Sequence, residues 1–370
     1  MSTRGLIFAI GGLRLTGYGL IMALGLLLGY IVASQQARLR RIRSSAVNKV
    51  CFFAILFALI VGRIIYVIAN VGFYGQYLSA IPRIWEGGVS TLGAVAGAVL
   101  GTFIGSGKRG FKRALDTLVP GMLLALAVCR LGELTTWQGR GMTVSSGIIF
   151  PIAINNSLGA RCLAVCIYEA VAALLIMLRA TSMRIKPSGR SGLTSLMLLG
   201  LIQVPLESMR SDDFLAIGFV KVDQLIGMLM AVAIISVFLR GHLRAGKNAM
   251  FGLAAFLIAI AMVVMCVLEE FKIDDSSNLL LNYFMLLIYV TVMGACGLYL
   301  NVGWRAAQAQ NGERGNTARV GNHRPNSTYY PGTYASARAQ QAQQSAPAPQ
   351  YSRRVDAYRQ AQTQITRRSR

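Results

Sequence analysis

Apolar residues in this 370-residue chain come in long runs, not at the spacing of half-buried helices or strands. The runs fall at 15–33, 50–71, 89–106, 115–132, 162–179, 192–206, 222–239, 249–268 and 279–300. A bilayer-crossing helix needs about 20 such residues, so the pattern predicts an all-α polytopic membrane protein with about nine transmembrane helices. The sixth run is short, and Pro205 interrupts its end. The N-terminus has no basic region followed by a short apolar stretch and a cleavage site, so it reads as the approach to a first span and not as a removable signal.

Polar positions between the runs alternate in charge. The first loop holds Arg38, Arg40, Arg41, Arg43 and Lys49, and the third holds Lys108, Arg109, Lys112 and Arg113. Arg179, Arg184, Lys186 and Arg190 flank the fifth, and Arg240, Arg244 and Lys247 fill the seventh. The even loops are poor in basic residues, and the eighth carries Glu269, Glu270, Asp274 and Asp275. By the positive-inside rule the odd loops are cytoplasmic, the N-terminus lies outside and the C-terminus inside.

Composition agrees with a membrane protein. The chain is 54% apolar and 14% charged, with mean hydropathy +0.53, whereas soluble domains carry nearer a quarter charged residues. Much of the net charge of +23 comes from the inner loops and from residues 301–370, which hold eleven Arg against Glu313 and Asp356. That stretch, rich in Gln, Ala, Ser and Asn, reads as a disordered cytoplasmic tail suited to anionic lipid headgroups. An Arg-rich tail can also bind RNA, but no nucleic-acid partner is expected. The six cysteines lie in or beside apolar runs and read as buried inert thiols. None has metal-ligand spacing with His242, placed in a basic loop, or with His323 in the tail. No metal and no cofactor are expected.

Ionisable residues at membrane depth are costly, and four groups need an explanation. Tyr18 stands at the outer end of the first run, and Arg63 lies within the second in GRIIY. CRLGELTTWQGRG, Cys129 to Gly141, brings Arg130 and Glu133 to the outer end of the fourth run, and PLESMRSDD brings Glu207 and Arg210 to the outer end of the sixth. Each of those two pairs has i,i+3 spacing and so could simply neutralise itself on one helix face. Three of the four groups, with Trp85 and Glu86, meet at the outer leaflet, where arginines would suit an anionic lipid headgroup because guanidinium holds phosphate bidentately. Arg63 lies deeper, where a carboxylate or carbonyl partner serves as well as a ligand. In WEGGVSTLGAVAG, Trp85 to Gly97, glycines begin a four-residue spacing that runs from Gly93 through Gly97 and Gly101 to Gly105. That spacing is the small-residue device by which membrane helices approach closely, so the stretch reads as structural first.

In order along the chain, these motifs resemble the prolipoprotein diacylglyceryl transferase family. Tyr18-Gly19 is similar to its early Tyr-Gly signature, and Val61 to Tyr66 to its Gly-Ala-Arg-x-x-Tyr stretch. Trp85 to Ala94 is similar to Trp-x-Gly-Gly-x-Ser-x-His-Gly-Gly, and Cys129 to Gln138 to Gly-Arg-x-Gly-Asn-x-x-Asn-x-Glu. Tyr168-Glu169 resembles the pair opening the fifth span; Glu207, Arg210 and Asp213 resemble Glu-x-x-Arg-x-x-Asp; and Gln224 sits where the last family span begins. The resemblance covers about 15–240. It implies a seven-helix core over residues 1–240, two additional helices over 241–300 and the tail over 301–370.

The resemblance implies a bacterial inner-membrane enzyme that moves diacylglyceryl from phosphatidylglycerol to the lipobox cysteine of a prolipoprotein, binding its signal peptide. It implies Arg130, Glu133 and Tyr18 as catalytic residues, and Arg63, Trp85, Ser90, Gly141, Glu207 and Arg210 as substrate-binding residues. The departures are specific. The family histidine falls on Leu92, the Asn after Arg-x-Gly on Glu133, the following Asn and Glu on Thr136 and Gln138, and an arginine on Gln203. His-Pro-x-Gln before the fifth span has become Leu163 to Cys166. Loss of a general base typically removes about 10²–10⁴-fold in rate, and a free thiol is already a few per cent thiolate at neutral pH. Glu133 could replace the base, or it could neutralise Arg130 and shut the anion site. The alternative function is therefore a catalytically silent relative that binds phospholipid or signal-peptide helices. A transporter is weaker still, as no inverted repeat or interrupted helix pair is evident.

Overall fold

A computed structural model describes residues 6–10, 13–83, 88–136, 138–144, 147, 149–156, 158–182, 189–211, 216–217, 220–244, 248–273 and 279–321. An antiparallel hairpin, β1 (Leu6–Ile10) and β2 (Leu13–Thr16), leads into α1 (Gly17–Leu39). Then come α2 (Ser44–Ala69), the short α3 (Val71–Gln76), α4 (Thr91–Gly132), a hairpin of β3 (Ala153–Asn155) and β4 (Arg161–Leu163), and α5 (Val165–Ser182). α6 (Arg190–Ser208), the small ladder β5 (Ala216–Ile217) and β6 (Val220–Lys221), α7 (Val222–Arg244), α8 (Ala249–Ile273) and α9 (Leu279–Gly321) complete it. The chain divides into a unit over residues 1–311 and another over 312–370, of which 312–321 are described and helical.

The chain is an all-α polytopic membrane protein. Among the described residues seven helices are long and apolar enough to cross a bilayer: α1, α2, α4, α5, α7, α8 and the first part of α9. The nine runs differ from these seven in two places. The third and fourth runs both lie in α4, on either side of a break at Gly107, whose φ of 66° and ψ of 170° are not helical. The sixth run lies in α6, whose buried Arg190, Thr194, Ser195, Gln203 and Glu207 lower its apolarity. α9 also continues to Gly321, past residue 300, where the ninth run ends.

Glycines set the packing. On the first arm of α4, a Cβ at Gly97 or Gly101 would lie 2.8 or 2.6 Å from the carbonyl carbon of Phe57 or Phe53, and one at Gly105 would lie 3.0 Å from Val50 Cα. Rising numbers on α4 meet falling numbers on α2, so the two run antiparallel. On the second arm Gly121 meets Gly29 and Gly132 meets Ile21, so that arm runs antiparallel to α1. α1 and α2 are joined by residues 40–43 and fold back on each other, with Tyr30 Oη donating to Asn48 Oδ1 at 2.9 Å. The chain therefore reverses at Gly107, where positive φ suits glycine. α6 and α7 cross through Gly200 and Gly227, where a Cβ on either would lie 2.6 Å from the other's carbonyl oxygen.

Apolar side chains from α4, α6, α7, α8 and α9 form the main core, with Leu92, Leu123, Met197, Phe238, Leu286 and Met293 almost wholly enclosed. Buried polar groups are tied across helices. Asp116 on α4 accepts from Gly189 N and Gly192 N at 2.8 Å each, holding the first turn of α6. His242 belongs to α7 and not to a loop: it is 2% exposed, packed against Gly252 and Gly303 and beside the Tyr299 ring.

Candidate active site

The C-terminal ends of α4 and α6 and the N-terminal end of α5 bring five ionisable side chains together. Arg130 lies in the last turn of α4, and Glu133 opens the 3-10 turn that follows. Arg130 Nη1 meets Glu133 Oε1 at 2.5 Å, so their i,i+3 pairing is real. They do not, however, stand alone. Arg130 Nε lies 3.0 Å from Glu169 Oε2 on α5, and Arg210 beyond α6 reaches the same Glu169 oxygen at 3.2 Å. Arg210 also approaches Glu133 Oε2 at 3.5 Å and, more loosely, Glu207 Oε1 at 4.0 Å. Gln203 donates to Glu169 Oε1 at 2.5 Å and to Glu207 Oε2 at 3.0 Å. Arg130, Glu133, Glu169 and Gln203 are each 5% exposed or less.

Two guanidiniums and three carboxylates in a buried cluster leave a surplus of one negative charge when all are ionised. Burial of charge is tolerated only with such pairing. Arg130 Nη2 is buried and, among the described residues, has no hydrogen-bond partner. Glu133 sits between the two arginines with one oxygen toward each. That is the arrangement by which two guanidiniums grip a phosphate, with a carboxylate in the anion's place.

The end of α6 is held by its neighbours. Gly141 pairs with Arg210 as an isolated antiparallel bridge, and its N–H donates to Leu163 O on β4 at 2.8 Å. A Cβ at Gly141 would lie 2.8 Å from both Met209 O and Val165 Cγ2, so only glycine allows this approach. Ser211 Oγ donates to Arg140 O at 3.0 Å, while Arg140 reaches Asn155 O at 2.8 Å and Thr136 O at 2.7 Å. Lys221 Nζ donates to Glu207 O at 2.9 Å and also to Arg210 O, placing a cation on the last carbonyls of α6.

The expected site residues divide accordingly. Arg130, Glu133, Glu207, Arg210 and Gly141 are brought together. Tyr18, at the start of α1, lies within electrostatic reach of Glu133, Cys129, Arg130 and Arg210, and its ring packs beside Gly132. Arg63 is directed elsewhere: it donates to Ala80 O at 2.8 Å, Gly88 O at 2.9 Å and Ile81 O at 3.0 Å, and lies against Tyr66 and Tyr74. It thereby holds the segment between α3 and α4. Ser90 caps α4, accepting from Gly93 N at 3.0 Å and donating to Asp223 on α7. Trp85 and its neighbour Glu86 lie outside the described residues. Leu92, the position of the family histidine, is wholly buried in the core and packs on Gly227.

Glu169 and Gln203 are central, yet in the sequence one is half of a Tyr-Glu pair and the other a departure from a motif. The signal that could have found them is polarity at the bilayer depth of otherwise apolar helices.

The prolipoprotein diacylglyceryl transferase family model matches residues 5–240, well over half of the chain and all of the cluster. The chain belongs to this family. It is 27% identical over 231 residues to the phosphatidylglycerol–prolipoprotein diacylglyceryl transferase of Finegoldia magna, covering 61% of this chain and 91% of that protein. The Clostridium novyi protein of the same name is 26% identical over 246 residues, with coverage of 64% and 95%. That of Staphylococcus saprophyticus is 28% identical over 241 residues, with coverage of 61% and 84%. α8 and α9 lie beyond the matched region.

Proposed function

We propose that this protein transfers diacylglyceryl from phosphatidylglycerol to the lipobox cysteine thiol of prolipoproteins. The observation that carries the reading is the buried pairing of Arg130 with Arg210 through Glu133 and Glu169, inside the family-matched region. In the reaction the cysteine sulfur forms a bond to the terminal glyceryl carbon of the diacylglyceryl group. The bond from that carbon to the phosphate oxygen breaks, and glycerol phosphate leaves with the electron pair. Arg130, through its free Nη2, and Arg210 stabilise the departing phosphate; such electrostatic stabilisation is often the largest catalytic contribution. Tyr18 faces the headgroup or the thiol. Arg63 and Ser90 act at one remove, Arg63 by tying Ala80 and Ile81 to Gly88 and Ser90 by capping α4. The thiol proton passes to a carboxylate of the cluster.

Under this reading the protein lies in the bacterial inner membrane with its N-terminus outside, its C-terminus inside and nine crossings. α4 counts as two crossings and α6 as one. The seven-span core ends near residue 240, and the basic residues of 301–370 attract anionic headgroups of the inner leaflet.

A second reading is favoured by a specific pair of observations: Glu133 fills the space between the arginines, and Leu92 stands where an imidazole would act. A relative that binds phospholipid without transferring it would have these features. Purified protein in phosphatidylglycerol vesicles, offered a lipobox peptide and labelled lipid, separates the two. Transfer by the wild type that falls at least 100-fold in Arg130→Ala is expected. No transfer above that variant, with phosphatidylglycerol still bound, would establish the silent binder.

A further inference from the structure

The two helices beyond the family-matched region reach the rear of the site. Tyr283 on α9 donates its hydroxyl to Ser208 O at 3.3 Å and lies 3.8 Å from Met142 Sδ. Ser208 stands between Glu207 and Arg210, and Met142 follows Gly141, the glycine that pairs with Arg210. One side chain thus touches both strands of the connection that presents Arg210. Near the other end of α6, Asn301 Nδ2 donates to Thr194 Oγ1 at 2.9 Å. α9 therefore lies antiparallel along α6 and is fastened near both of its ends. α8 adds a third tie: Glu270 Oε2 accepts from Gln224 Nε2 at 3.0 Å, and Gln224 lies against Val204 O at 3.4 Å, next to Gln203.

In lipid there is little hydrophobic drive between helices, because acyl chains solvate leucine as well as another helix does, so register is set by close small-residue packing and by polar ties. On α9, Gly297 packs closely on Met197 of α6, and the two polar ties fix the ends of the same contact at defined points. We propose that α9 is a splint for α6 and that Tyr283 is a positioning residue, its hydroxyl holding the Arg210 end of α6 against the Gly141 loop. The inference rests on the transferase reading for its rate consequence, though not for its geometry. Helices α8 and α9 are, on this view, part of the enzyme and not an appended module.

The test uses the full chain in nanodiscs containing phosphatidylglycerol, with Tyr283→Phe, Asn301→Ala and Arg210→Ala compared with wild type. Tyr283→Phe keeps the ring and loses the hydroxyl. Its kcat should fall about 3- to 10-fold, the worth of one hydrogen bond, with the KM for lipobox peptide little changed and the unfolding midpoint lowered no more than in Asn301→Ala. Asn301→Ala should lower the unfolding midpoint while kcat stays within about twofold, as its tie is remote from the reacting groups. Wild-type turnover in Tyr283→Phe, with Arg210→Ala impaired, would overturn the proposal. A parallel loss of turnover and midpoint in both α9 variants would also overturn it, reducing Tyr283 to a docking contact. If the wild type shows no transfer, the transferase reading fails, and retention of phosphatidylglycerol through detergent exchange becomes the readout. Weaker retention in Tyr283→Phe, in the direction of Arg210→Ala, would then support positioning of Arg210, and equal retention would refute it.

Discussion

Gly101→Ala puts the glycine seam between α2 and α4 to the test. The new Cβ would lie 2.6 Å from the carbonyl carbon of Phe53 and 2.8 Å from Ala54 Cα, where ordinary contact begins at 3.4 Å. The Phe53 carbonyl oxygen lies closer still, so the helices must part by on the order of 1 Å. Both obstacles are backbone atoms, so no rotamer change can relieve them. Gly97 and Gly105 are in similar contact with the same helix, so separation at the middle loosens the whole seam. A gap of about 0.5–1 Å forfeits a quarter to a half of each dispersion well along it. Overpacking of this kind costs about 1–3 kcal/mol, and backbone obstacles place it at the upper end. The better helix propensity of alanine returns at most about 1 kcal/mol. The net loss is about 2 kcal/mol, a roughly 30-fold shift in the unfolding equilibrium. Unfolding in mixed micelles by added denaturing detergent would measure it, with Gly105→Ala as the internal comparison. Gly105 meets its nearest neighbour at 3.0 Å and should lose less. Equal or greater stability of Gly101→Ala would refute the reasoning, since the interhelical distance would not then be set by this seam.

Two other perturbations separate roles within and beside the site. Glu133→Gln should tighten phosphatidylglycerol binding several-fold and leave transfer measurable, because it removes the carboxylate held between the arginines, whereas Glu207→Gln should lower kcat by about 10²-fold or more with binding retained. The reverse order of effects in the transfer and binding assays would make Glu133 the proton acceptor. Arg63→Ala removes a charged donor from the half-buried carbonyls of residues 80, 81 and 88 and should cost about 1.5–3 kcal/mol. Limited proteolysis should detect new cleavage between residues 78 and 90, and Arg63→Lys should not restore protection because an ammonium cannot reproduce the guanidinium fork.

Features whose cause is local were legible in the sequence. Gly93 to Gly105 foretold a close helix contact because a four-residue spacing fixes one face of a helix. Arg130 with Glu133, and Glu207 with Arg210, were recognisable because partners three residues apart must share a face. Contacts across helices were not legible. Nothing near Glu169 in sequence says that Gln203, Arg130 and Arg210 converge on it. Arg63 looked like a candidate for substrate because its carbonyl partners lie 17–25 residues away, in a segment with no helical pattern. His242 was misplaced because a cluster of basic residues around it marks a membrane boundary, while its own side is buried against two glycines. The break in α4 was legible as the basic stretch Lys108 to Arg113 between the third and fourth runs; that the helix resumes directly after Gly107, with that stretch inside it, was not.

The charge balance of the cluster bears on which carboxylate takes the thiol proton. With all five ionised, the two arginines and three carboxylates would carry a net negative charge, to which the phosphodiester of phosphatidylglycerol would add another. Protonating one carboxylate during transfer offsets that excess at the moment the phosphate acquires further charge. The carboxylate that does so with least loss is the one least engaged with guanidinium, since the attraction falls with distance. Glu133 meets Arg130 at 2.5 Å and Arg210 at 3.5 Å, and Glu169 meets them at 3.0 and 3.2 Å. Glu207 approaches a guanidinium nitrogen only at 4.0 Å, and its other oxygen accepts from the neutral amide of Gln203. Protonation of Glu133 or Glu169 would weaken an ion pair with each arginine, whereas protonation of Glu207 leaves those pairs intact. Under the proposed transfer, the glutamine that stands in place of the family's arginine leaves Glu207 the carboxylate least held by guanidinium. On that reading, the same substitution that removes one cation from the cluster offers a carboxylate for the proton that Leu92 cannot take.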